Sequence, residues 1–109
     1  MKEMTMKEAQ DLFLKGEKIL LCDYRFGKAE VINYRDKTDG KAKSFTTVRH
    51  TIEIGDASYQ VSERVPEGFD AANYKPTISK GQRCVLLFDR FAVQSGVGQF
   101  GGTIVPVAK

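Results

Sequence analysis

Residues 33–54, NYRDKTDGKAKSFTTVRHTIEI, decide how the chain is read. Asp39-Gly40 is a hairpin signal, because a tight turn between strands needs a residue that tolerates positive φ. Beyond it, Lys41–Ile54 is rich in Thr, Val, Ile and Phe, as strands are. Ile52 and Ile54 alternate with Thr51 and Glu53, so one face of that end is buried. Nearer the turn, Lys41, Lys43, Phe45, Thr47 and Arg49 share one face by period two. Burying that face would hide three charges, which is costly, so it is expected to face solvent. Phe45 is then an exposed ring in a basic row. Tyr34 on the other arm either joins it as a platform or packs as a cross-strand partner. Lys37, Lys41, Lys43 and Arg49 can meet phosphates, and Tyr34 and Phe45 can meet bases. An unpaired nucleic-acid strand asks for that pairing of charge with flat apolar faces.

Working outward, residues 5–15 read as a helix. Thr5 and Glu8 form a Thr-x-x-Glu capping box, and Gly16 suits a left-handed C-cap. Strand-like runs follow at Lys18–Tyr24, Ala29–Tyr34 and Ser58–Glu63, with turns expected at Arg25–Lys28, around Gly27, and at Gly55-Asp56. Pro66-Glu67-Gly68 reads as a turn, and residues 70–73 as one helical turn limited by Pro76. Arg83–Val93 is the best candidate for a central strand. Residues 95–102 read as a glycine-rich loop, and Thr103–Val107 as a closing strand with Pro106 near its edge. The expected fold is all-β: a five- to six-stranded oligonucleotide-binding (OB-type) barrel with an added N-terminal helix. A small SH3-like barrel fits the periodicity nearly as well. The expected division is a helical extension over residues 1–16 and a barrel domain over 17–109.

The 109 residues suffice for one modest core, and 41% hydrophobic with 28% charged residues is an ordinary globular composition. No apolar run approaches the roughly 20 residues of a membrane span. With no export signal in view, a cytoplasmic site without membrane association is expected. Cys22 and Cys84 sit in apolar strand-like runs and read as buried free thiols of a reducing compartment. Two cysteines and one distant histidine argue against zinc, and no other metal or cofactor is expected. The net charge of +3 is unevenly spread. Residues 25–50 hold seven Lys/Arg against three acids, whereas residues 51–79 hold two against five. The basic lobe suits a polyanion, and the acidic lobe suits a basic patch on a second subunit or partner.

The residues point away from an enzyme. His50 is the single imidazole and reads as structural or incidental. Gly98–Gly102 lacks the Lys and Ser/Thr of a phosphate loop. Phe100, ringed by glycines, either plugs a barrel end or offers a mobile stacking surface. Tyr74, before Lys75-Pro76, can meet sugar and phosphate, or else is a half-buried tyrosine. Arg25, Arg83 and Arg90 are phosphate contacts of lower rank, with Asp89 able to neutralise Arg90.

Gly40-Lys41, Ile54-Gly55, Pro66-Glu67-Gly68, Tyr74-Lys75-Pro76, Gly81, Phe91, Val97-Gly98-Gln99-Phe100-Gly101 and the final Val105-Pro106-Val107-Ala108-Lys109 come in a suggestive order. Over residues 33–109 the chain thereby resembles the helix-destabilising (gene V type) proteins of filamentous bacteriophages. The resemblance implies a dimeric, non-enzymatic protein that coats single-stranded DNA cooperatively, without strict sequence preference. It implies nucleic-acid contacts at Lys41, Phe45, Tyr74 and Phe100. It breaks at Lys43, where the family has a tyrosine; along residues 1–20, which add a helix; and at Gln94–Gly96, which looks inserted. The chain after Phe100 is too short for the family's dimer arm, so a homodimer is a weaker expectation than DNA binding. RNA is an alternative strand, since nothing here reads a 2′-hydroxyl. The competing reading is a protein-interaction barrel acting as an assembly or regulatory adaptor, supported by the acidic lobe and the added helix.

Overall fold

A computed structural model describes residues 3–65 and 69–108. The turn expected at Pro66-Glu67-Gly68 and the terminal Lys109 lie outside the described residues. The elements are α1 (Met6–Leu14), β1 (Ile19–Arg35), β2 (Ala42–Ile54), β3 (Ala57–Arg64), a short 3₁₀ turn (Ala71–Asn73), β4 (Arg83–Gln94) and β5 (Val97–Pro106).

Helix α1 forms for the reasons its sequence gives. The Thr5 hydroxyl accepts from the Glu8 N–H at 3.1 Å, and the Glu8 carboxylate reaches back to the Thr5 N–H. At the other end Gly16 takes φ +88°. The Gly16 N–H donates to Phe13 and the Glu17 N–H to Leu12, closing the last turn. Ala9 is the buried residue of the helix. Met4 bridges to Val107, which ties the segment before the helix to the end of β5.

The strand order β1-β2-β3-β5-β4 returns to β1, so the sheet closes on itself. The pairs are antiparallel except β3–β5, which is parallel over Gln60–Ser62 and Gln99–Gly101. The core inside holds Tyr24, Ile52, Val61, Leu86, Phe100 and Ile104, with Cys22 and Cys84.

The N-terminal helix and five strands, within the expected five to six, lie among the described residues. The expected fold class, an all-β OB-type barrel, is corrected on two other counts. The sheet is mixed, mostly antiparallel. And β1 and β2 outrun any compact barrel. β1 meets β4 only over Ile19–Asp23, and β2 meets β3 only over Thr47–Ile54. Their far halves, Val31–Arg35 and Ala42–Thr46, pair with each other alone and leave the sheet as a two-stranded ribbon. The longest dimension is 47 Å against 29 and 26 Å for the others.

Glycine explains most of the miscounted strands. Arg25–Lys28 is not a turn: β1 runs through it with a bulge between Tyr24 and Phe26. Gly27 lies opposite His50, and a Cβ on it would collide with the Tyr24 hydroxyl. The expected glycine-rich loop is likewise strand β5. A Cβ on Gly102 would strike the Leu87 carbonyl and the Phe88 backbone, so glycine there permits close approach to β4. The true turn is Ser95-Gly96, both at positive φ.

Cys22 lies directly opposite Cys84 in the β1–β4 register, and both are free thiols. Burial pushes the Cys22 thiol up to about 12 and the Cys84 thiol to about 11. The native protein is therefore expected to resist a thiol-disulfide reagent that modifies both cysteines after unfolding in guanidinium; rapid native modification would contradict this placement. The fold keeps protons that an unfolded chain releases. Stability is thus full below the unfolded thiol value of about 8.5 and falls as pH rises toward the folded values. Urea midpoints near pH 7 and near pH 10 check that sign.

Candidate nucleic-acid interface

The ribbon turn is held by its own side chains. Asp36 and Asp39 accept from the backbone N–H groups of Thr38 and Lys41 at 2.7 and 2.9 Å. Arg35 donates to the Gly40 carbonyl at 2.6 Å. Lys43 reaches Asp36 at 2.7 Å and Asp39 at 3.3 Å. The Asp36 hydrogen bond holds the Lys43 amine above its usual range, and Lys43 in turn holds the Asp36 carboxyl below its own. Lys43, expected as a free phosphate contact, is thus engaged within the turn. Lys37 and Lys41 are exposed and have no ion pair among the described residues.

Toward the root of the ribbon, Phe45 lies opposite Ile32 and Tyr34 opposite Lys43. The Tyr34 and Phe45 rings meet edge to face, centroids 5.8 Å apart. Tyr34 is therefore both cross-strand partner and neighbouring surface. Phe45 is half-buried rather than bare, because the Arg64 guanidinium sits 4.6 Å from its centroid. Thr47, on the same face, is buried beside them. The face is a concave cleft of about 360 Å³ into which Arg49, Arg64 and Arg90 all project.

These arginines are loosely satisfied. Arg49 approaches Glu30 only to 3.7 Å, and its buried Nε has no hydrogen-bond partner among the described residues. Arg90 meets Asp89 at 3.1 Å, but both side chains are exposed and such pairs are weak. Arg25 and Arg83 are paired elsewhere, with Glu53 and Asp23. Reasoning from the sequence missed Arg64 and ranked Arg90 low. Their signal is cross-strand register, which periodicity along one strand cannot supply.

Two expected site residues belong elsewhere. Phe100 is corrected from a stacking candidate to a core residue, 6% exposed. Pairing of β5 on both edges turns it inward among Tyr59, Phe88 and Phe91, centroids 5.6, 5.0 and 4.6 Å away. Tyr74 is half-buried against Phe69 and does not line the cleft; burial, then Glu63, raises its hydroxyl.

Neither family models, nor curated proteins, nor solved structures match the chain. The phage resemblance therefore stands on its short motifs. Its sharpest element, Gly98-Gln99-Phe100-Gly101, serves the core through Phe100 and the cleft through Gly101. Among the described residues, no three His, Cys, Asp or Glu side chains gather in a metal-binding group, and no helix is long and apolar enough to cross a membrane.

Behind the cleft, His50 is 4% exposed and engaged at both nitrogens. Nδ1 lies 2.9 Å from the Tyr24 hydroxyl and Nε2 lies 3.2 Å from Glu63. Each ring nitrogen thus has one partner, and the tautomer sets which of the two bonds the ring donates. Burial raises the Tyr24 hydroxyl well above its usual range. The chain of bonds joins β1, β2 and β3 where the ribbon departs. His50→Ala is expected to destabilise the fold by about 1–3 kcal/mol through two orphaned partners. Urea unfolding measures it, and an unchanged midpoint would show that the network contributes nothing to stability.

Proposed function

We propose that the protein binds single-stranded nucleic acid without strict sequence preference, as a helix-destabilising coat for single-stranded DNA. The single observation that carries this reading is the cleft that places Phe45 among Arg49, Arg64 and Arg90. Guanidinium planes match phosphate oxygens, and a ring beside them offers a surface to any base. Exposed Lys37 and Lys41 extend the positive surface along the ribbon. The order of capture is electrostatic approach, then stacking. Preference for unpaired strands would melt duplex by mass action without hydrolysis. The resemblance to phage helix-destabilising proteins supports the same role and adds cooperative self-association. Exposed Phe13, Leu14, Phe91 and Val93 are apolar surface for a second copy to cover. The reading places the protein in the cytoplasm, where free Cys22 and Cys84 stay reduced.

A second reading, a protein-interaction module, is favoured by one observation. An apolar groove of about 500 Å³ lies between α1 and β1, lined by Met6, Ala9, Phe13, Leu14, Ile19 and Leu21 among others. It is remote in sequence and register from the arginine cleft.

Fluorescence titration with oligo-dT, oligo-U and duplex DNA at two salt concentrations separates the readings. The coat predicts binding to single strands that weakens steeply with salt. Flat signals for all three at low salt would sink it. Phe45→Ala is expected to weaken oligo-dT binding by on the order of 1–3 kcal/mol, while Lys43→Gln has a smaller effect than Lys41→Gln. Equal losses at Lys41 and Lys43 would contradict the closed ion pairs of the turn.

A further inference from the structure

Resting on the single-strand reading, we propose that the row Arg49–Ser62–Gly101–Arg90, flanked by Arg64, is a phosphodiester clamp that carries the strand's backbone across the sheet. Arg49 lies opposite Ser62, Ser62 opposite Gly101, and Gly101 opposite Arg90. These four residues are therefore consecutive neighbours across β2, β3, β5 and β4. Opposed residues project on one face, so the two arginines stand at the ends of a row whose middle is a hydroxyl and a bare backbone.

Gly101 leaves the middle of the row to the Arg90 side chain. A Cβ there would fall 2.6–2.7 Å from the Arg90 guanidinium, so that group lies across the glycine. The bulge between Phe88 and Arg90 re-aims the β4 side chain over its neighbour strand. On the opposite bank Arg49 has an unpartnered Nε and a carboxylate no nearer than 3.7 Å. Arg64 has the Phe45 ring as its neighbour. The guanidinium groups repel one another, and a phosphate between them relieves that repulsion while accepting their N–H groups. The cleft, about 360 Å³, is at the small end of ligand sites and has room for one nucleotide-sized group. A base attached to the clamped phosphate meets Phe45, from which Arg64 can swing to the backbone. The principal charge contacts thus lie at the root of the ribbon, not at its tip, where Lys43 is engaged with Asp36 and Asp39.

The test uses the full chain, labelled oligo-dT and anisotropy over a range of salt. Arg64→Gln with Arg90→Gln is compared with Lys37→Gln with Lys41→Gln. All four side chains are exposed, so matching thermal midpoints are expected. The arginine pair is expected to lose at least about tenfold more affinity than the lysine pair, and to flatten the slope of log K against log salt by about 1.4, roughly 0.7 for each lost phosphate contact. Oligo-dT with methylphosphonate linkages supplies a second measurement. It should bind wild type more weakly than ordinary oligo-dT, and the arginine variant should discriminate less between the two. Wild-type binding by the arginine variant overturns the clamp and leaves the single-strand reading standing. Equal displacement by poly-glutamate at matched charge overturns a polynucleotide ligand for the cleft. Absence of oligo-dT binding by wild type overturns both.

Discussion

The structure depends on one buried imidazole. His50 is held by Tyr24 on one side and Glu63 on the other, and so joins three strands at the point where two of them leave the sheet. A two-stranded ribbon is marginal in water and has no core to set its direction. Its direction must come from its root. The hydrogen-bonded histidine ties the strands together just inside that root, with Gly27 opposite, where a side chain would occupy the space of the Tyr24 hydroxyl. Chain flexibility is not what the glycine contributes; it contributes room.

From this root the charge divides into two populations. At the tip, Lys43 is locked between Asp36 and Asp39, and Arg35 to a carbonyl, so much of the positive charge goes into shaping the turn. At the base, arginines from β2, β3 and β4 converge with weaker partners: a carboxylate 3.7 Å from Arg49, an exposed pair for Arg90 and a ring for Arg64. Groups already satisfied have little to gain from a ligand, and groups left short of acceptors have more. The cleft is therefore the more reactive surface toward an anion, although the tip carries the denser run of lysines in the chain.

Parts of this were legible before any coordinates. The capping box of α1, the Gly16 terminus and the Asp39-Gly40 turn are local devices, encoded within a few residues, and they form where the spacing puts them. The face shared by Phe45, Thr47 and Arg49 also follows from period two, and those three residues line the cleft together. Glycine was harder to read. Gly27 and Gly101-Gly102 look like turn or loop glycines along the chain, yet each lies inside a strand where other atoms take the place of its Cβ: the Tyr24 hydroxyl at Gly27, and atoms of β4 at Gly101 and Gly102.

The sequence by itself determined the capped helix α1, the Asp39-Gly40 turn and the basic character of the β1–β2 ribbon, because these depend on residues near one another in the chain. Only the tertiary structure decided that β3 lies parallel to β5, which turns Phe100 into the core and lines up Arg49, Ser62, Gly101 and Arg90 across four strands. The physical reason is that a strand's pattern specifies which side chains share a face but not which strand lies beside it. That choice is made by closing the sheet around one core, and the site exists only after the closure.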